Sequence, residues 1–211
     1  ADRSENKTFP LLQGVYNIDA KNQIYFRGIE LGYAHAYNKY LHFGVEGSFR
    51  SSRQQTDDPR LAGMGDINTT IEAGPWIKAK YRKTALKGRV MFDTTSEHDG
   101  YVATLKAEQR IGVSRGTGIN LYAETHYGSG DFMDTYFTVG SAQAIAGRPA
   151  FNAESGFYQS AVGANFHHNL PHNLFLWIDG QIQFLHQDAK ASPVTFDSTQ
   201  TRAIFGIGYT F

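Results

Sequence analysis

The 211-residue sequence has no cysteine, which excludes disulfides, thiolate metal sites and thiol nucleophiles. Neither sign of charge is in excess: 20 basic residues face 20 acidic ones, so no nucleic acid or polybasic lipid partner is implied. No apolar run reaches the roughly 18 residues that a membrane-spanning helix needs. The negative mean hydropathy, -0.41, does not exclude a membrane protein, because only alternate residues of a transmembrane barrel face lipid. No segment reads as an amphipathic helix of useful length, and there is no repeat beyond hairpins. No signal peptide begins at Ala1, so the chain reads as processed or trimmed.

What is present is 22 glycines, 15 phenylalanines and 12 tyrosines against six prolines, a composition of strands, tight turns and aromatic girdles. Residues 199–211 alternate, with Ala203, Phe205, Ile207, Tyr209 and Phe211 on one face and Arg202, Gly206, Gly208 and Thr210 on the other, Ile204 breaking the pattern. Residues 41–50 alternate cleanly, and stretches within 66–82, 86–93, 101–113, 119–127, 158–167 and 174–184 also alternate. Residues 9–16 predict a first strand. Residues 23–37 predict one long strand whose phase slips at Arg27-Gly28, as a β-bulge or as a break into two short strands. Pro75 predicts an irregularity in its strand. The connections near 38, 83, 116 and 171 are tight, whereas those near 58, 98, 143 and 193 are mostly longer. This two-sided sorting is the habit of outer-membrane barrels, with short periplasmic turns and long outer loops.

The expected fold is therefore all-β: residues 1–211 as a single antiparallel transmembrane β-barrel of about ten strands, with long outer loops near 53–65, 128–157 and 187–198. The polar strand faces carry Glu46, Glu72, Lys78, Arg89, Lys106, Glu108, Arg110, Glu124 and Asp179, too many charges for a dry core. They are expected to form a mixed-sign network in a wet, mostly plugged lumen, with a narrow solute path as the alternative. The 128–157 loop holds Phe132, Tyr136, Phe137, Arg148 and Phe151. That much apolar material must be buried in the barrel mouth or against a partner, so the loop is read as a lid or interaction surface.

Catalytic constellations are weak. Glu124, His126 and Ser129 form the best local trio, but such pairs are common in polar lumens. His167, His168 and His172 are scattered about a turn, and Asp57, Asp58, Asp131 and Asp134 are loop acids. None has a specific metal or catalytic spacing, so no cofactor, metal or catalytic residue is assigned.

The stretch DFMDTYFTVGSAQAIAGRPAFNAESGF (131–157) resembles a loop of the MltA-interacting protein/OmpV family of outer-membrane proteins. The match runs through Tyr136, Phe137, Val139, Ser141, Gln143, Ala144, Pro149, Ala150, Phe151, Asn152 and Ala153, with Thr138, Arg148 and Phe151 replacing the usual Gly, Leu and Tyr. LAGMGDINTTIEAG (61–74), IYFRG (24–28) and the Gly-Tyr-x-Phe carboxyl end agree with it. The family usually carries a strand ahead of the position of Asp2, which is absent here, and if Arg27-Gly28 is a real break a twelve-strand parent barrel becomes the alternative count. The resemblance implies an outer-membrane barrel in contact with lipid and lipopolysaccharide. It also implies a non-enzymatic binding or scaffolding role, with a lytic transglycosylase and a peptidoglycan synthase as partners. A narrow diffusion channel or an adhesin is the alternative, and a hydrolysing barrel enzyme ranks last. The terminal strand is similar to those that the barrel-assembly machinery reads, with Tyr209 and Phe211 as the signal.

Overall fold

The computed structural model describes residues 13–209, and the surroundings of side chains 14–208. Eleven strands form one antiparallel sheet in which each strand pairs with its neighbours in sequence. They are β1 (Gln13–Asn17), β2 (Asn22–Arg27), β3 (Glu30–Ala36), β4 (Leu41–Arg50), β5 (Thr70–Tyr81), β6 (Thr84–Asp93), β7 (Tyr101–Ser114), β8 (Thr117–Gly128), β9 (Gly156–Asn169), β10 (Leu174–Leu185) and β11 (Thr199–Tyr209). Residues 9–12 of the expected first strand, and Phe211, lie outside the described residues, as does the side chain of Tyr209.

The count is eleven, not ten or twelve, among the described residues. The expected long strand over 23–37 is a hairpin. Gly28 takes φ 62, a left-handed backbone that suits glycine, and with Ile29 it turns the chain so that Arg27 pairs with Glu30. The change of phase in the sequence is thus a reversal of direction. Pro75 pairs with Val45 of β4, but toward β6 the ladder lapses over Gly74 and Pro75, then resumes in unchanged register at Trp76–Arg89. A further irregularity was not legible. The register shifts between His126 and Tyr127, and this turns Tyr158 inward beside Gln159 rather than leaving it on the apolar face with Val162.

The sheet curls with its polar face concave. Side chains reach across it between strands that are not neighbours: Lys87 of β6 meets Glu46 of β4 at 2.7 Å, and Arg89 of β6 meets Glu30 of β3 at 2.9 Å. Neighbouring strands lie about 4.8 Å apart, so such bridges over one or two intervening strands require strong curvature. Glycines on the concave face permit it. In four cross-strand pairs an aromatic ring lies over a glycine: Tyr25 on Gly32, Tyr122 on Gly163, Trp177 on Gly206 and Phe175 on Gly208. A methyl group at Gly163 would lie 2.4 Å from the Tyr122 ring. These pairs fill the interior, and any larger residue in place of the glycine would push the ring away.

The convex face is apolar and exposed. Val45, Ile77, Leu105, Val162 and Ile178 form its middle. Tyr16, Tyr37, Tyr40 and Tyr81 ring the end with the tight turns, and Phe49, Phe92, Tyr101 and Phe157 ring the other. An aliphatic band between two aromatic girdles is the outer surface of a transmembrane barrel.

Candidate functional site: a charge-lined lumen under a lid of loops

Three long connections meet over one end of the sheet: residues 51–69, 129–155 and 186–198. The middle one was expected to lack regular structure, but it begins with an eight-residue helix, α1 (Gly130–Phe137). Ser129 caps the helix, its Oγ accepting from the Phe132 N–H at 3.4 Å, and Asp131 lies in the first turn where the helix dipole favours an acid. A second short helix, α2 (Gln187–Ala191), follows β10. Neither was predicted, because both are too short for periodicity to show.

Two apolar clusters hold these segments together. Phe132 and Met133 pack with Val102, Ala153, Tyr158 and Ala189, and Tyr136, Phe137 and Leu185 lean on them. Leu61, Met64, Val139 and Val194 form the second cluster, with Phe196 beside it. Phe151 packs against both and joins them. α1 dips toward the concave face, where the guanidinium of Arg50 lies 4.9 Å from the Phe132 ring centre. The polar ties are as specific. Arg148, only 4% exposed, donates from Nη1 to the Arg60 carbonyl (2.7 Å) and from Nη2 to those of Ala62 (3.0 Å) and Gln143 (2.7 Å). Arg53 Nη1 donates to the Tyr136 carbonyl at 2.8 Å, and Ser192 Oγ to that of Phe137 at 2.5 Å. Burial pushes the Tyr136 hydroxyl up and lowers Arg53 from its ordinary value. Asp58 is held well below the usual carboxylate range by the side chain of Arg60 and then by its backbone N–H.

All five loop residues singled out in the sequence lie in this assembly. Arg148 is a buried clamp rather than an exposed contact. Its partners are carbonyls, which no sequence pattern announces.

Below the lid, Glu72, Arg89, Lys106, Glu124 and Asp179 line one part of the concave side and Lys78, Glu108 and Arg110 another, with Glu46 enclosed, in separate local groups. Glu46 is fully enclosed by Lys87 (2.7 Å), Arg89 (2.9 Å) and the Tyr25 hydroxyl (2.7 Å). Arg50 grips Glu72 through two nitrogens, at 2.7 and 3.1 Å. Lys106 pairs with Glu124 at 3.2 Å, and Lys78 pairs with Glu108. Asp179 accepts from the Tyr122 hydroxyl at 3.1 Å. Arg110 makes no ion pair among the described residues. Sequence reasoning missed Tyr25, Glu30 and Tyr122, whose roles depend on which strands the curvature brings together.

The catalytic candidates separate. Glu124 Oε1 lies 3.3 Å from His126 Nε2, but Ser129 is engaged as the helix cap and accepts from Tyr101 N–H at 2.9 Å. His168 is bonded to Thr117 and His167 lines the lumen, whereas His172 sits in a turn. Asp58 is bound to Arg60 at 2.7 Å. No group of three or more His, Asp or Glu is placed to hold a metal among the described residues.

A meandering antiparallel sheet with a charged concave face, an apolar convex face and a lid over one end defines a β-barrel protein of the outer-membrane type. Comparison with known families matches residues 1–211 to the family described as MltA-interacting protein MipA, and the chain belongs to that family. A search of curated proteins finds no match.

Proposed function

We propose that the chain is an integral outer-membrane barrel that acts by binding rather than by catalysis, as a docking or scaffolding partner of the peptidoglycan-remodelling machinery. The observation that carries this reading is the lid. Three loops sharing two apolar clusters and the Arg148 clamp stopper one end of the lumen, which leaves surface contact as the role for which the molecule is built. The family is named for interaction with MltA, a lytic transglycosylase, and that class of enzyme is the proposed partner, with a peptidoglycan synthase beyond it.

In the proposed topology the carboxyl end and the tight turns face the periplasm, and the lid faces outward. The aromatic girdles and aliphatic band contact lipid and lipopolysaccharide, and Tyr209 with Phe211 is the signal to the barrel-assembly machinery. A periplasmic partner then meets turns such as 37–40 and 170–173, the second fixed by the left-handed backbones of His172 (φ 59) and Asn173 (φ 59). Pull-down of a membrane-bound lytic transglycosylase should weaken on Lys39→Ala with His172→Ala and survive deletion of residues 141–152. Loss of binding on that deletion, with the barrel intact, would overturn the topology. In planar bilayers the chain should give no robust conductance. Large steps altered by charge reversal at Arg89 or Glu72 would favour the channel reading instead.

A further inference from the structure

The end of the lumen opposite the lid is chemically unlike the rest. A cavity of about 530 Å³ opens there, within the size range of small-molecule sites. Among the described residues its walls carry Lys78, Lys80, Arg82, Lys83 and Arg110 against the single acid Glu108, five positive charges to one negative. Lys78 is paired with Glu108, but Lys80, Arg82, Lys83 and Arg110 make no ion pair among the described residues. The chamber above it is balanced. Arg50, Arg89, Lys106 and Arg202 there meet Glu30, Glu72, Glu124 and Asp179, four against four. The whole chain is neutral as well, so the excess at this one end is local.

We propose that this basic vestibule is an anion-binding site for a small solute bearing phosphate or carboxylate groups and more than one negative charge. For Lys78, Lys80 and Arg110 the strand period excludes the bland explanation that they serve lipid headgroups. Lys78 and Lys80 continue the inward series of Glu72 and Trp76 on β5, and Arg110 continues that of Lys106 and Glu108 on β7, so these three point into the lumen, whereas Arg82 and Lys83 sit in the turn at its rim, the Arg82 guanidinium 5.4 Å from the Tyr81 ring centre. A cleft lined by one sign of charge within low-dielectric walls focuses the field and concentrates counter-ions. Arginine forks match carboxylate and phosphate oxygens in pairs, and lysines add point charge. Asn120 and Asn165 supply neutral hydrogen-bonding groups on the same wall, and Trp177 and Phe175 give it an apolar side. The site stands independently of the scaffolding role.

Trp177 provides the test, since the chain has only two tryptophans. In detergent micelles at low ionic strength, a Trp76→Phe variant reports from Trp177 alone. Iodide should quench it several-fold more strongly than caesium, and inorganic pyrophosphate should protect it saturably. Lys80→Gln with Arg110→Gln should cut iodide quenching and weaken pyrophosphate protection by about tenfold, the loss expected for two partly screened charges. Lys21→Gln, at a turn of the same end but outside the cavity, should change neither. Calorimetric titration of the unsubstituted chain with pyrophosphate, repeated on the double variant, gives the same answer without touching Trp76, and heat-modifiable gel migration checks that each variant is folded. Equal quenching by iodide and caesium, no pyrophosphate binding, or binding unchanged by the double substitution would each overturn the proposal.

Discussion

Replacing Arg148 with Met keeps most of the side-chain volume and removes every donor. The guanidinium makes four hydrogen bonds to three carbonyls, those of Arg60, Ala62 and Gln143. Bonds to charged groups contribute about 1.5–3 kcal/mol each when both partners stay dry. Arg60 and Ala62 are exposed residues, so their carbonyls can recover water, and the net loss is smaller than the sum. A cost of about 2–4 kcal/mol remains, confined to the lid, and it raises the open population roughly 30- to 1000-fold. The clamp crosses from one loop to another, so opening must be shared. Amide exchange at Val139 and Phe151, which bond each other at 2.8 and 2.9 Å, should accelerate together with exchange at Arg53 and Ile67 in the partner loop. Strand amides should keep their protection. If Arg53 and Ile67 stayed protected while Val139 and Phe151 exchanged, the two loops would be independent and the reasoning wrong.

Other expectations follow from the wall and its ends. Leu105 and Ile178 are 50% and 43% exposed on the convex face, so Leu105→Arg or Ile178→Arg should cost about 2–4 kcal/mol in denaturant titrations in lipid vesicles, and an unchanged midpoint would place these residues away from lipid. Gly163→Ala forces the Tyr122 ring aside and should cost about 1–3 kcal/mol, with part of the loss recovered when Tyr122→Ala is added; additive losses in that cycle would deny the contact. The depressed Asp58 carboxyl gives a pH signature. Its stabilisation of the 53–65 corner is complete above the unfolded carboxylate value of about 4 and is lost as pH falls through the lower folded value. Amide exchange in that loop, corrected for its intrinsic pH dependence, should be flat from neutrality down to about pH 4 and rise only below it. An increase near neutrality would point to a different group.

The strand period made most of the wall legible. Leu41–Arg50 was placed to the residue, because a half-buried strand writes its two faces directly into alternate positions. The 23–37 stretch also carried its signal, but a phase change cannot by itself tell a bulge from a hairpin, and Gly28 decided for the hairpin. The inward turn of Tyr158 was not legible because Tyr158 is the extra residue of a bulge that exists only in the pairing with His126 and Tyr127 of the neighbouring strand. The ion pairs were legible as a population of inward charges but not as partners. That Arg89 reaches Glu30 depends on the curvature of the sheet, which local sequence leaves open. The lid was announced by its aromatic content, whereas its helices were too short to read and its clamp works through backbone carbonyls. The basic vestibule was within reach of sequence reasoning: Lys78 and Lys80 share one face, and grouping inward charges by their height along each strand would have found them.

The connectivity of the lid sets an order of events. Every strand of the sheet pairs with its neighbours in sequence, so the wall can form from local hairpins. The contacts over the mouth are of another kind: Arg53 meets Tyr136, Arg60 meets Arg148, and Ser192 holds Phe137. Leu61 and Met64 of residues 51–69 are therefore covered only once the segment after β8 is in place, and the second cluster is complete only with Val194 from between the last two strands. A chain stalled before β10 would leave its first long loop unanchored and open to proteases. Closure of the mouth is in that sense a completeness check, recording that the final hairpin has been threaded into place.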